Sequence, residues 1–361
     1  MKVLFQFLSL FFLAACSTQA PVKIEKQAGF LYSKLASIEE KESYKLLSIR
    51  NPKTLQIETQ FALYKGKIPN KIPRNIKPIQ IPVKNMGALS ASFIGMIDAI
   101  NGIESVKATS ELQYVYNKKL RKKLQKNQIL SSSYETGLSA ESLLKKHISL
   151  IVYSGFGQPY PQEEKLAQLG ITCMANYDWE ETHPLGKAEW IKVFGALLDK
   201  EKEAETYFNM VEKNYLELKK KALNISTKKK TICGSITSDV WYAPAGESFM
   251  AGILNDAGLD YIYKNTKGTA SIQITPEQAF KDQQNCSVWI NADAVSLKEL
   301  EKQNPKYASF HVFKSGSVYS YFNNTNYFWE ISPANPHWLL EDYINIAKGK
   351  TELLHFYKKL H

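Results

Sequence analysis

The stretch that decides the fold reads Pro184-Leu185-Gly186-Lys187-Ala188-Glu189-Trp190-Ile191-Lys192-Val193-Phe194-Gly195-Ala196-Leu197-Leu198 and continues through Asp199 to about Leu223. Apolar Trp190, Val193, Phe194, Leu197 and Leu198, then Ala204, Tyr207, Phe208, Val211, Tyr215 and Leu218, recur every three or four residues. That is the period of a helix with one buried face. Asp199 stands where a second N-cap would, so the segment reads either as two helices or as one continuous helix, which over about 36 residues would be about 54 Å long at 1.5 Å per residue. In either form it can brace two bodies, one on each side of it in the chain.

The flanks are built alike. Before the helix, Leu138 to Leu144 opens a short helix, followed by a strand at Ile148 to Tyr153, a helix near Glu163 to Leu169 and a strand at Ile171 to Ala175. After it, Ile274 to Phe280 opens a short helix, followed by a strand at Ser287 to Asn291, a helix near Ser296 to Gln303 and a strand at Ser317 to Phe322. Strands alternating with helices build mostly parallel sheets. The fold class is therefore α/β, with two Rossmann-like lobes joined by a long rigid interlobe helix. The expected divisions are an N-terminal lobe over 44–183, the interlobe helix over 184–224 and a C-terminal lobe over 225–361.

Composition narrows the function. The 361 residues carry 46 Lys+Arg against 35 Asp+Glu, a formal charge of +11, with 44% hydrophobic and 12% aromatic residues. This supports packed cores and excludes wholesale disorder and a disulfide-stapled miniprotein. No apolar run reaches the roughly 18 to 20 residues that cross a bilayer, so a polytopic membrane protein is excluded. The densest basic run, Lys118, Lys119, Arg121, Lys122, Lys123 and Lys126, reads as a solvated helix face, and no nucleic-acid partner is expected.

Lys2 followed by the apolar stretch Val3 to Ala15 has the length of a signal-peptide core. Residues 1–15 are read as an export signal, and residues 16–43 as a lipidated Cys with its tether. Leu13-Ala14-Ala15-Cys16 resembles a bacterial lipobox, whose cysteine takes a diacylglyceryl group before cleavage on its N-terminal side. The membrane is then reached through lipid alone, and more than one acyl chain makes that anchoring stable. Loss of Lys2 with the signal lowers the formal charge to +10. Cys173, Cys233 and Cys286 each sit in an apolar strand-like run, which reads as buried reduced thiol.

Ligands of such sheets collect beyond the carboxyl ends of the strands. The residues there are Met86 to Ser92, Ser154 to Gly157, Tyr177 to Trp179, Trp241-Tyr242, and Asn323 to Trp329. They are rich in aromatics and poor in acids and bases, a wall for a large, partly apolar ligand rather than a catalytic pocket. Met86, Ser90, Phe156, Tyr177, Trp179, Trp241, Tyr242 and Trp329 are the ligand-binding candidates. Arg74, Lys77 and Lys84 lead into the first of these loops and are candidates for charge. The six His show no paired metal spacing, and His183 reads as a helix-starting residue. No nucleophile elbow, phosphate loop or zinc-protease signature is present, so neither catalytic residues nor a metal or cofactor of the protein's own is expected.

The segment His183-Pro184-Leu185-Gly186-Lys187-Ala188-Glu189-Trp190-Ile191 resembles the Pro-Leu-Gly-Arg-Ala-Glu-Trp signature of the substrate-binding lipoproteins of bacterial ABC importers for iron complexes, haem and cobalamin. Val240 to Phe249 and Asp256-Ala257-Gly258 match as well, and the likeness runs from about Lys45 to Leu354. It implies a monomeric solute-binding protein, not an enzyme, that takes a metal chelate between its lobes and delivers it to a permease dimer. A ferric siderophore ranks first, with cobalamin or haem as alternatives; an envelope interaction protein without cargo is the alternative of another class. In the family one surface Glu per lobe fits an Arg pocket on the permease, and Glu141 and Glu277 stand at the matching positions. The same two residues also read as helix-start acids behind the N-caps Ser139 and Thr275. The chain departs from the family at Asn335-Pro336-His337-Trp338, where Arg-Pro-Asp is usual, and this leaves the cargo open.

Overall fold

The structure, a computed structural model, describes residues 29–133 and 137–361. The export signal, Cys16 and the first part of the tether lie outside the described residues. An N-terminal sheet comes first, with β1 (Ala36–Glu40), β2 (Lys45–Arg50), β3 (Ile57–Tyr64) and β4 (Lys77–Gln80) in that order. Three of its strands form an antiparallel meander, and β4 joins β3 in parallel. The sequence reading did not anticipate this sheet, and β1 falls inside the stretch read as tether.

Lobe 1 contains β5 (Met86–Ala88), β6 (Val106–Ser110), β7 (Leu130–Ser132), β8 (Leu150–Ser154) and β9 (Thr172–Asn176). All are parallel, in the order β7-β6-β5-β8-β9. Its helices are α1 (Ala91–Ala99), α2 (Lys118–Gln125), α3 (Ala140–Lys145) and α4 (Glu163–Gln168).

The brace is three helices: α5 (Pro184–Glu189), α6 (Ile191–Leu198) and α7 (Glu201–Ala222). His183 caps the first as expected, its Nδ1 accepting from Leu185 N at 3.1 Å, with Pro184 in the first turn. Asp199 does not start a helix. It ends α6 in the left-handed region at φ 56°, which Asp tolerates better than most residues. The chain then turns α7 back against α6, and the two approach so closely that a Cβ on Gly195 would lie 2.6 Å from that of Ala204. Continuous helix is thus limited to the 22 residues of α7, about 33 Å. The periodic residues Trp190, Phe194, Phe208, Val211 and Tyr215 are all buried in one core shared with both flanks.

Lobe 2 contains β10 (Lys230–Cys233), β11 (Ser235–Thr237), β12 (Val240–Pro244), β13 (Asp260–Tyr261), β14 (Ser271–Ile274), β15 (Val288–Ile290), β16 (Val318–Ser320) and β17 (Lys358–Lys359). Its helices are α8 (Phe249–Asp256), α9 (Pro276–Asp282), α10 (Leu297–Gln303), α11 (His311–Lys314), α12 (Thr325–Ile331) and α13 (Pro336–Lys348). The main sheet, β13-β10-β15-β16-β17, is parallel except for β17. A second, antiparallel sheet, β11-β12-β14, extends from the end of β10. The expected two-lobe α/β architecture with largely parallel sheets is what the chain forms.

Two buried carboxylates at the start of the brace hold the incoming chain. Glu189 accepts from the main-chain N of Leu31, Tyr32 and Ser33 at 2.8 to 3.1 Å. Glu181 accepts from Ser33 Oγ, Lys34 N, Leu35 N and Trp190 Nε1. Filling carboxylate lone pairs with backbone donors is what makes these charges tolerable in the interior. Burial still pushes the Glu181 carboxyl upward, against those hydrogen bonds.

The three cysteines are buried free thiols. Burial pushes Cys173 and Cys286 up to about 12 and Cys233 higher still, so none is a reactive thiolate at neutral pH.

Candidate ligand-binding cleft

The loops after the lobe 1 strands meet elements of lobe 2. Glu330 on α12 is buried and accepts from Tyr116 N at 2.7 Å and Asn117 N at 3.1 Å, just before α2. Asn326 donates to Gln113 O, and the rings of Tyr116 and Tyr327 lie 5.0 Å apart. Thr269 donates to Glu180 at 3.0 Å, linking the loop before β14 to the turn after β9. Helices α1 and α12 touch so closely that a Cβ on Gly95 would collide with Glu330 O at 1.7 Å. The carboxyl ends of the two parallel sheets are therefore held near one another, where ligands of open α/β sheets bind.

Among the expected wall residues, Phe156 is 53% exposed and Trp179 half-buried, with ring centroids 5.0 Å apart. Trp179 Nε1 donates to Gly155 O at 3.2 Å, which fixes the indole on the loop after β8. Ser90 is half-buried before α1, its Oγ 3.2 Å from Ser92 Oγ. Across from lobe 1, Trp329 on α12 is 45% exposed and stands edge-on to Tyr321 at 5.9 Å and to Phe328 at 5.1 Å. Tyr242 is exposed on β12. Aromatic faces of this kind bind large, partly apolar ligands.

Three expected wall residues lie elsewhere. Met86 is buried because it opens β5, the central strand of lobe 1, flanked on both sides. Tyr177 is 3% exposed; its ring lies against Gly155, and its hydroxyl donates to Glu58 of the N-terminal sheet at 2.7 Å. Trp241 is fully buried, stacked on Phe310 and packed against Trp289 and the edge of Tyr307, with Nε1 donating to Cys233 O at 3.2 Å. Side chains alternate on a strand, so Trp241 faces the core and Tyr242 faces out. The expected cationic set also moves. Lys77 lies in the N-terminal sheet and pairs with Glu163 at 2.7 Å, while Arg74 precedes β4 and Lys84 precedes β5 in the chain.

Several residues here were not singled out from the sequence. Tyr321, read as the end of a strand, stacks on Phe328 at 4.0 Å behind Trp329. Asp178 follows β9 and is buried; its main-chain N donates to Asn176 Oδ1. Lys187 on α5 is only 6% exposed, its Nζ 3.9 Å from Asp178 Oδ2 and 4.5 Å from the centroid of the Phe249 ring. Burial raises the Asp178 pKa and lowers that of Lys187, each opposed by the other's charge. The signal for Lys187 was its place in the Pro-Leu-Gly-Lys-Ala-Glu-Trp motif; for Asp178 it was its place in the stretch Tyr177 to Trp179 beyond a strand. Among the described residues no cluster of three or more His, Cys, Asp or Glu could hold a metal ion.

Glu141 and Glu277 are both exposed, each at the second position of its short helix, behind Ser139 and Thr275. Those hydroxyls accept from Ser142 N and Gln278 N at 3.2 Å.

A family model described as "Periplasmic binding protein" matches residues 88–324. The chain belongs to the periplasmic binding protein family. Two uncharacterized lipoproteins of Methanocaldococcus jannaschii are similar to this periplasmic binding protein. One is 29% identical over 72% of the chain and 64% of its own length, so the chain spans less than two thirds of that relative. The other is 23% identical over 84% of the chain and 80% of its own length. Solved structures share the fold. They include a periplasmic haem-binding protein from Pseudomonas aeruginosa (TM-score 0.59, 14% identity, 77% of this chain and 98% of that one). A ferric-hydroxamate transport protein from Saccharomonospora viridis is similar too (0.55, 16%, 74% and 94%), as is a vitamin B12 binding protein of Vibrio cholerae (0.53, 14%, 75% and 99%). The N-terminal sheet lies wholly before the residues matched by the family model. Among the described residues no helix is long and apolar enough to cross a membrane.

Proposed function

We propose that this periplasmic binding protein captures a metal chelate, a ferric siderophore, between its two lobes and delivers it to the permease of an ABC importer. In this reading Cys16 carries the lipid that holds the chain at the extracytoplasmic face of a membrane, the protein acts as a monomer, and its role is binding without catalysis. The lobes are 44–183 and 225–361 with the brace over 184–224, and Glu141 and Glu277 dock to the permease, one from each lobe.

The observation that carries the reading is the aromatic wall at the meeting of the lobes, Phe156 with Trp179 from lobe 1 and Trp329 from lobe 2, in a chain of the periplasmic binding protein family. Relatives of the same fold are named for ferric hydroxamate, haem and vitamin B12, three large ligands that carry a metal. Two exposed carboxylates on capped helix starts suit a two-fold partner, because charged pairs set orientation and on-rate.

The test is intrinsic tryptophan fluorescence of the soluble chain from Ser17 onward, titrated with a ferric catecholate, a ferric hydroxamate, haem and cobalamin. Saturable quenching at micromolar or lower concentration by one of the ferric chelates is expected. Quenching by haem or cobalamin alone moves the cargo to that class, and silence with all four from a folded sample removes the reading.

A further inference from the structure

We propose that the Lys187 ammonium is the anchor for an anionic oxygen of the cargo, seated at the joint of the two lobes beside Asp178. This rests on the chelate-binding reading above and narrows it to anionic chelates.

Lys187 is more than nine-tenths buried, yet none of its three N–H donors has an acceptor within hydrogen-bond distance among the described residues. Its nearest carboxylate oxygen, Asp178 Oδ2 at 3.9 Å, is itself buried without a hydrogen bond. On the other side the Phe249 ring offers a π-face to the cation, which attracts charge but does not replace an acceptor oxygen. The ammonium faces the cavity with no acceptor oxygen at hydrogen-bond distance, and so apolar a setting favours a group that supplies one.

Lys187 lines a cavity of about 10 Å³ with Phe249, Phe328, Trp329, Pro333 and Pro336. That is about the space of one water molecule, enough for a single oxygen. Trp329 is both a wall of this cavity and a half-exposed aromatic, so a chelate stacked on it lies beside the cavity that Lys187 lines. Around the ammonium, Asp178 comes from lobe 1 and Phe249 from lobe 2, while the cavity itself is walled by the brace and lobe 2.

Asp178 makes the test sharp, because an anchor and a merely structural ion pair predict opposite signs for it. Ferric triscatecholate, an anion, and a neutral ferric trihydroxamate are titrated against the wild-type chain, Lys187→Gln and Asp178→Asn, with thermal unfolding recorded for each. The wild type is expected to bind the catecholate at least about tenfold more tightly than the hydroxamate, since charge-assisted hydrogen bonds are roughly twice as strong as neutral ones. Lys187→Gln should lose about tenfold or more in catecholate affinity with little change for the hydroxamate. Asp178→Asn, which removes the competing negative charge, should hold or tighten catecholate binding even where it lowers the melting temperature. Equal weakening by both variants makes the pair structural and overturns the anchor, as does an unchanged Lys187→Gln or a wild type that prefers the neutral chelate. If Lys187→Gln does not fold, the wild-type preference and the sign of Asp178→Asn decide alone. Silence of the folded wild type with these two chelates, haem and cobalamin removes the chelate reading itself, an outcome distinct from loss of the anchor alone.

Discussion

In lobe 1 the tryptophan after the last sheet strand, Trp179, stays half-exposed against Phe156; in lobe 2 the tryptophan that follows β10, Trp241, is wholly buried against Trp289, Tyr307 and Phe310. Both were read as cleft residues for the same reason, an aromatic just beyond a strand. The difference lies in what each chain does next. After β9 the backbone turns through a short 3₁₀ segment, which leaves the Trp179 indole half-exposed while Tyr177 and Asp178 are buried. After β10 it runs on into the antiparallel sheet β11-β12-β14, where alternation sends Trp241 inward and Tyr242 outward. Standing beyond a strand predicts the cleft only when a loop follows.

The most drastic test of the lobe comparison concerns what the lobes share. Glu141→Ala with Glu277→Ala should abolish delivery by the importer while leaving ligand affinity unchanged; each single variant should keep part of it. Uptake assays alongside binding titrations check this, and normal uptake by the double variant means the two helix starts are only capped acids.

Next in size is stability. Trp241→Ala should cost about 3 to 5 kcal/mol in denaturant unfolding, as large aromatics removed from a core do. Trp179→Ala should cost roughly 1 kcal/mol or less, since its indole is partly solvated. Equal costs would erase the distinction drawn between the lobes.

The tie between the lobes gives a pH signature. Burial, aided by Asp98 of α1 and opposed by Arg121 of α2 and the two backbone donors, raises Glu330 from 4.5 to about 7. Below 4.5 the carboxyl is protonated whether the chain is folded or unfolded. From there to about 7 the unfolded chain releases its proton and the folded chain resists, so stability falls as pH rises, then levels. The loss is on the order of 3 kcal/mol. Glu330→Gln should flatten this part of the profile, measured by unfolding between pH 4 and 8; a slope that persists unchanged assigns it to another group.

The smallest effect is on the cleft wall. Phe156→Ala or Trp329→Ala should each weaken chelate binding by at least about 1 kcal/mol, the value of an aromatic contact. Tyr177→Phe should leave binding unchanged, because that hydroxyl is committed to Glu58.

Much of the fold was legible because its signals are local. The helix starts at His183, Ser139, Thr275 and Ser296 are capped by side chains two or three residues from the donors they satisfy. The lobe strands at 150–154, 172–176, 288–290 and 318–320 are short apolar runs and fall where expected. The N-terminal sheet was missed because its first strand, Ala36–Glu40, ends in charged residues, and it is held by partners far along the chain. Leu31 to Leu35 hydrogen-bond to Glu181 and Glu189 across about 150 residues. No periodicity marks such a contact.

The sequence by itself determined the α/β class, the capped helices, the two-fold repeat of helix and strand around a central brace, and the motif at its start. These follow from hydrogen-bond partners and apolar spacing within a few residues. Only the tertiary structure decided that Trp241 and Tyr177 are core while Trp179 and Trp329 stay half-exposed, and that the brace turns a corner at Asp199. It also brought a lysine of the brace, an aspartate of lobe 1 and a phenylalanine of lobe 2 together in one place. Burial and pairing of this kind depend on which surfaces meet when the chain closes on itself, and that is a property of the packed whole.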